Sequence, residues 1–199
     1  MLASINPLGE RSRNSRFGIT FVAYLIGSVA GGALLGGAAG GAGALARELL
    51  SWSDRATGGA VVVVCAVALL LDLGIGRLRL PTVRRQVNED WLTEYREWVY
   101  GGGFGFQLGL GVVTIVTTAT VYVTFGLAFL TASLPAGLIV GAVFGLTRAT
   151  PLLLATRVHG PAQLRRLVRR AQGWSPLVQR AALVSLVAAG TVGLVAIVG

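Results

Sequence analysis

The side chain best placed to do chemistry inside an apolar segment of this sequence is an arginine. Arg148 lies in the motif GLTRATP, nine residues before Arg157. An ionised side chain within a membrane-spanning segment is costly, so it needs an acid, a carbonyl or an anion beside it. Pro151 lacks a backbone N–H and frees a carbonyl close by. We expect Arg148 either to contact a solute or to pair with Asp72. Asp72 lies near the end of another apolar segment. The alternative to pairing with Arg148 is that Asp72 reaches the interface beside Arg77.

A cluster of threonines forms the second candidate feature. Five threonines occur within eleven residues, and several of them share one helical face. Such hydroxyls often return a hydrogen bond to a carbonyl of the preceding turn or bond to a neighbouring helix, with no further role. The alternative is a polar path for a solute or an ion. The residues of this candidate path are Arg148, Thr114, Thr117, Thr118, Thr120, Thr124, Gln107 and Asp72.

Other reactive side chains are too few for common catalytic sites. Thiol–disulfide exchange needs two thiols, whereas the chain has only Cys65, in an apolar run. Zinc and haem sites need more ligands than the single histidine, His159, supplies. The glycine-rich runs lie in apolar stretches, and no lysine is present for a phosphate-binding loop. We therefore expect a protein that is not an enzyme and that binds no metal or cofactor.

Apolar helices must position these side chains. Of the 199 residues, 54% are hydrophobic and only 13% are charged, which excludes a solvated globular enzyme. We expect an all-α membrane protein, a polytopic bundle of five transmembrane helices in one domain over residues 1–199. A sixth helix is the alternative if the first stretch folds back at Gly31–Gly32 or Gly36–Gly37. The first and third stretches are long enough to be strongly tilted or broken. The five apolar stretches cover residues 17–46, 56–75, 104–130, 134–156 and 181–198.

Arginine placement predicts the orientation. The net charge of +9 is carried without any lysine, and 14 of the 16 arginines outside the apolar stretches fall on one side. Only Arg47 and Arg55 fall on the other side. The positive-inside rule puts the N-terminal tail, residues 1–16, in the cytoplasm and the C-terminus outside. We expect a bacterial cytoplasmic (inner) membrane, with anionic lipids rather than nucleic acid as the partner of these charges.

Two cytoplasmic connections have amphipathic patterns. In residues 81–100, apolar and aromatic side chains recur at helical spacing among charged ones. In residues 161–172, four arginines lie on the helical face opposite the apolar side chains. Both patterns predict helices lying in the headgroup layer. The aromatic residues of the first helix would also offer an interface or docking face. They are Trp91, Tyr95 and Trp98.

Glycines recur at four-residue spacing on three of the apolar stretches. Lipid provides no hydrophobic drive for helix association, so small residues are needed for close helix contact. A tight bundle explains the rows, and the alternative is that close contacts let one half rock against the other. The rows are Gly32, Gly36 and Gly40, then Gly101, Gly105 and Gly109, then Gly137, Gly141 and Gly145.

The order of elements over residues 105–155 is familiar. A glycine-rich start, FGFQLGLG, leads to a polar middle, a short turn and a second span containing Gly145, Leu146 and Pro151. This segment resembles the transmembrane domain of the cytochrome c biogenesis and thiol-disulfide interchange family. Where that family has a Pro-Cys pair, this chain has Thr117–Thr118. The resemblance implies broken helices around a midplane cavity, without the reactive cysteines.

Two hypotheses of different class follow. The first is a transporter-like protein that moves a small or anionic solute through a cavity near the third and fourth spans. The second is a non-catalytic structural, accessory or assembly subunit of a larger membrane complex, one that handles redox chemistry or cofactor maturation. We expect a homo-oligomer or association with such a complex. The sequence leans toward transport because of Arg148.

Overall fold

A computed structural model describes residues 16–73, 95–111, 119–155 and 160–198, and these ranges form α-helices joined by turns. Four helical segments in this part of the chain are long and apolar enough to cross a membrane, namely Phe17–Leu50, Asp54–Asp72, Leu134–Leu154 and Pro176–Ile197. The expected all-helical membrane class is therefore confirmed, and we treat the chain as an integral membrane protein. The helices are α1 (Phe17–Leu50), α2 (Asp54–Asp72), α3 (Glu97–Leu110), α4 (Thr120–Leu130), α5 (Leu134–Ala155) and α6 (Pro161–Val198).

Helix α1 is continuous from Phe17 to Leu50. It does not fold back at either glycine pair, so the six-helix alternative that depended on such a break is wrong. At 1.5 Å per residue the helix is about 51 Å long, well beyond a hydrocarbon core of about 30 Å, which favours a tilted span. The chain reverses after Ser51, whose left-handed backbone (φ 49°) ends α1. Ser53 then caps α2 by accepting a hydrogen bond from the Ala56 N–H.

Helix α1 is the centre of the larger packing unit, and glycines make its contacts close. A Cβ built on Gly32 would overlap the carbonyl oxygen of Gly141, and one on Gly36 would overlap that of Gly137, so α5 runs antiparallel to α1. Gly101 lies on Thr20 and Gly105 on Tyr24, so α3 runs parallel to α1. The rows continue at three further contacts: Gly40 lies on Ser133, and both Gly109 and Gly145 lie on Ser28.

The third apolar stretch is broken into two helices that follow each other along α1. Leu110, at the end of α3, lies against Gly31, and Phe129, near the end of α4, lies against Gly43. Ala119 precedes Phe129 by ten residues, about 15 Å of helix. The break therefore lies opposite the middle of α1. The length of the third apolar stretch allowed either a tilted or a broken helix, and the structure shows a broken helix.

Helices α2 and α6 form the second packing unit. Gly193 packs against Gly58, and Leu186 packs with Cys65 and Ala68, so the two helices are antiparallel. Residues 161–172 do not form a separate interfacial helix, because α6 continues without a break from Pro161 through Pro176 to Val198. The other expected interfacial helix, residues 81–100, lies mostly outside the described residues.

Candidate functional site

The candidate site is the region of the helix break, and a glycine conformation ends its first half. Gly111 has φ +68°, a left-handed conformation that glycine adopts without the strain a side chain would bring. A Cβ there would also lie about 3.1 Å from the ring of Phe144 and 3.2 Å from that of Phe125. The two rings meet edge to face, with centroids 4.9 Å apart. Aromatic side chains of α4 and α5 therefore lie beside the end of α3 at Gly111.

Asp72 anchors the second half of the broken helix. Its Oδ1 accepts a hydrogen bond of 2.6 Å from the backbone N–H of Ala119, immediately before α4. A carboxylate at a helix N-terminus satisfies a free N–H and interacts favourably with the helix dipole. Because Ala119 lies opposite the middle of α1, Asp72 lies at that level too. Asp72 is also the last residue of the α2 span, and Arg77, beside which the sequence allowed it to reach the interface, lies outside the described residues.

Two oxygen atoms at this point are buried without a partner within the described part of the chain. They are Oδ2 of Asp72 and Oγ1 of Thr120. Buried polar atoms usually have hydrogen-bond partners, and exceptions often mark functional positions. These atoms place two buried polar groups where the end of α2 meets the start of α4.

Arg148 lies on the other side of the break and contacts an aromatic ring. Its guanidinium carbon is 5.5 Å from the centroid of Phe144, within cation–π range. Three residues earlier, Gly145 packs on Ser28, whose hydroxyl donates a 2.7 Å hydrogen bond to the Gly145 carbonyl. Arg148 therefore lies closer to the N-terminal end of α1 than the break does. Asp72 uses one oxygen for Ala119 rather than for Arg148, so the expected pairing of these charges is replaced by two separate contacts.

The expected polar path is only partly assembled by the described residues. Thr124 returns its hydroxyl to the Thr120 carbonyl at 2.8 Å, the ordinary bond of a threonine within a helix. Gln107 is half-buried on α3. Thr114, Thr117 and Thr118 lie outside the described residues.

The expected docking aromatics are also described only in part. Tyr95 and Trp98 are 50% and 59% exposed at the start of α3, on the same end as Arg16, whose N–H donates to Glu97. Trp91 lies outside the described residues, as does His159. Cys65 is buried among the apolar side chains of α2, α4 and α6.

Sequence reasoning missed several residues of this region. Ser28 lies four residues before Gly32, so the spacing of the glycine row could have included it. Phe125 and Phe144 carry no such signal, because aromatic residues are common in apolar helices. Ala119 contributes a backbone N–H, which no side-chain motif can reveal.

Comparison with known proteins finds similarity to one group of bacterial proteins. The chain is 31% identical over 159 residues to the methylamine utilization protein MauF of Methylophilus methylotrophus. It is 29% identical over 153 residues to the protein of the same name in Methylobacillus flagellatus, and 29% identical over 156 residues to that of Methylorubrum extorquens. Each alignment covers 76% of this chain and 53% of the relative, so the chain spans about half the length of these relatives. No family model and no solved structure matches the chain.

Proposed function

We propose that this chain is an accessory membrane protein of methylamine utilization, a non-catalytic subunit or assembly partner of a larger membrane complex. The observation that carries the proposal is the similarity to the MauF proteins, at 31% and 29% identity over 76% of the chain. Their name assigns these relatives to methylamine utilization and names no reaction. The accessory hypothesis therefore replaces transport as our main one.

The packing of the chain supports a role in binding other membrane proteins. Helix α6 contacts mainly α2, and most of its length is exposed in the isolated chain. Its exposed side chains include Trp174, Leu177, Val184 and Val192. By contrast, α1 is enclosed by α3, α4 and α5 through close glycine contacts. A rigid unit with a separate exposed helix is an arrangement suited to holding a partner.

Deleting the gene in a host that grows on methylamine tests the proposal. We expect growth on methylamine to be lost and growth on succinate to be kept, with a plasmid copy restoring the former. Methylamine-oxidising activity of cell extracts should fall as well, because an accessory protein acts on the enzyme system rather than on entry of the substrate. Unchanged growth on methylamine would overturn the proposal. A Gly59→Ala copy, altered where a Cβ meets no atom within 4 Å, is the matched control and should restore growth.

Transport of a small solute is the second candidate, and the helix break favours it. Discontinuous helices with charged groups near mid-membrane are typical of solute and ion sites in transporters. Here Asp72 and Arg148 lie on either side of such a break. Uptake of radiolabelled methylamine by intact cells separates the candidates. A transporter predicts lost uptake with normal activity in extracts, whereas an accessory protein predicts the reverse.

The orientation and the lipid partner belong to the same proposal. We place the N-terminus in the cytoplasm of a bacterium, and the N-terminal part of α6 against anionic headgroups of the inner leaflet. A cysteine at position 166, in a chain with Cys65 replaced by alanine, should react with an impermeant reagent in inverted vesicles and not in intact cells. The supporting residues are the exposed Arg165, Arg166, Arg169 and Arg170.

The resemblance of residues 105–155 to the cytochrome c biogenesis family remains a proposal about the scaffold. The interruption after Leu110 is the kind of break that such a scaffold requires. We propose that the chain keeps a broken-helix scaffold of this type and uses it to hold a partner.

A further inference from the structure

Helix α5 contains a proline within the part of it that is apolar enough to cross a membrane. Pro151 lies inside Leu134–Ala155, and the helix continues on both sides of it. Proline has no backbone N–H, so the carbonyl four residues earlier, that of Thr147, lacks its helical hydrogen bond. Thr147 precedes the end of the span at Leu154 by seven residues, about 10 Å of helix. An unpaired carbonyl is costly there because hydrocarbon offers no donor.

A hydroxyl of the same helix supplies the missing donor. The Oγ1 of Thr150 donates a hydrogen bond of 2.6 Å to the carbonyl of Thr147. Bonds of this kind are one way in which membrane helices tolerate proline. The sequence offers this carbonyl to Arg148, whereas in the structure it accepts the hydroxyl of Thr150.

The hydroxyl of Thr147 makes bonds of a different kind. It donates to the carbonyls of Val143 and Phe144, at 2.6 and 2.9 Å. In an α-helix these two carbonyls also accept backbone N–H groups, those of the residues four positions later, Thr147 and Arg148. Thr147 and Thr150 are both exposed and only three residues apart. They therefore differ in one respect that matters here, because only Thr150 serves a carbonyl that has lost its N–H donor.

The turn that contains the proline joins the body of α5 to a last segment that packs on the N-terminal half of α1. Leu152, in this segment, is buried in one cluster with Tyr24 of α1 and Tyr100 of α3. Arg148 lies within the turn itself and contacts the ring of Phe144. The bonding of this turn therefore determines where Leu152 and Arg148 lie relative to α1.

We propose that Thr147, Thr150 and Pro151 form a hinge in α5, which the hydroxyl of Thr150 keeps closed. With the hydroxyl bonded, the helix is continuous through the proline, as in the structure. With the hydroxyl released, the Thr147 carbonyl has neither an N–H nor an O–H from its own turn, and the last segment of α5 can swing away from α1. The end of α5 thus has two arrangements, and the guanidinium of Arg148 moves with them. This inference is separate from the proposed accessory role.

Hydrogen exchange of the full-length protein in nanodiscs, measured by mass spectrometry over residues 152–155, tests the hinge. Exchange of these amides reports opening of the last turn of α5. Thr150→Val removes the hydroxyl at similar volume and should speed exchange about tenfold, because one carbonyl in the span is left unsatisfied. Thr150→Ser keeps the hydroxyl and should exchange like wild type. Thr147→Val is the matched control and should also exchange like wild type, because the carbonyls that it deprives of a hydroxyl keep their N–H donors.

Restoring the backbone N–H makes the test specific. In Pro151→Ala the Thr147 carbonyl can accept the N–H of residue 151, so the hydroxyl of Thr150 is no longer needed. Adding Thr150→Val to Pro151→Ala should therefore change exchange by less than about twofold.

Three outcomes would overturn the hinge. The first is exchange in Thr150→Val that is no faster than in Thr147→Val. The second is an equal acceleration by Thr150→Val with and without Pro151, because the hydroxyl would then act on something other than the carbonyl that proline leaves unpaired. The third is faster exchange throughout α1 and α3, which would indicate a loss of the whole fold rather than a local opening.

Discussion

The carboxylate of Asp72, the last residue of α2, holds the backbone N–H of Ala119, the residue before α4, at 2.6 Å across 47 positions of sequence. This contact ties the second packing unit to the start of a half-helix. Because the contact lies level with the middle of α1, it fixes where the broken helix resumes. The position of α4 along the bundle thus depends on a side chain from another helix.

Removing this carboxylate should destabilise the fold. We expect Asp72→Ala to lower the free energy of unfolding by about 1–2 kcal/mol, because a helix N-terminus loses its acceptor and its favourable charge. Asp72→Asn keeps an acceptor oxygen and should cost less. Thermal unfolding of the purified protein in detergent measures the difference. Asp54→Ala is the control, since the Asp54–Arg47 pair is exposed and should contribute at most about 1 kcal/mol. Equal effects of Asp72→Ala and Asp54→Ala would contradict the role given to Asp72.

The glycine contacts between α1 and α5 should tolerate no added methyl group. In Gly141→Ala the new Cβ would overlap the backbone of Gly32, which cannot move without shifting a helix. Overpacking of this kind costs about 1–3 kcal/mol in the free energy of unfolding. We expect the upper end of this range because the atoms that the new Cβ meets belong to the backbone of α1. Gly59→Ala, at an open position of α2, should be neutral or stabilising by up to about 1 kcal/mol. The comparison requires only the unfolding temperatures of the two variants, and a Gly141→Ala protein as stable as wild type would refute it.

Sequence spacing identified small-residue faces, but the helices that those faces meet could not be deduced. The row at Gly32 and Gly36 contacts α5, and the row at Gly101 and Gly105 contacts α1, although all three rows have the same four-residue period. The length of the third stretch allowed a break without locating it. Gly111 is one of 29 glycines, and its positive φ, which sets it apart among the glycines that the structure describes, cannot be read from the sequence.

Charged residues were harder to assign than the helices. Asp72 was recognised as a candidate, yet its partner is a main-chain N–H that no motif encodes. Arg180 was assigned to a loop because arginines are frequent before it, whereas α6 continues through that region without interruption. Local composition therefore predicted the class of the protein, while the environment of each charge depended on helix packing.

The break itself should depend on Gly111. Gly111→Ala combines an unfavourable positive φ with a Cβ about 3.1 Å from the ring of Phe144. We expect a loss of about 1–3 kcal/mol in the free energy of unfolding. Gly126→Ala is the control because its Cβ would meet Val64 at 3.5 Å, an ordinary contact, without a positive φ. Chemical denaturation of both variants in mixed micelles gives the two values. If Gly126→Ala were the more harmful change, the chain could not be turning at Gly111 as described.

The contact between Arg148 and Phe144 can be measured as a coupling between the two side chains. Arg148→Gln removes the cation and Phe144→Leu removes the ring, while the double variant removes both. If the 5.5 Å contact stabilises the protein, the two single variants together should lose more free energy of unfolding than the double variant does. We expect a difference of about 0.5–2 kcal/mol, the range for a cation–π contact from exposed to desolvated sites. Arg148→Gln with Phe129→Leu is the control cycle, because Phe129 lies near Trp52 at the other end of the bundle. That pair should be additive. Additivity in both cycles would mean that Phe144 does not hold the guanidinium, and that Arg148 is positioned by its other contacts.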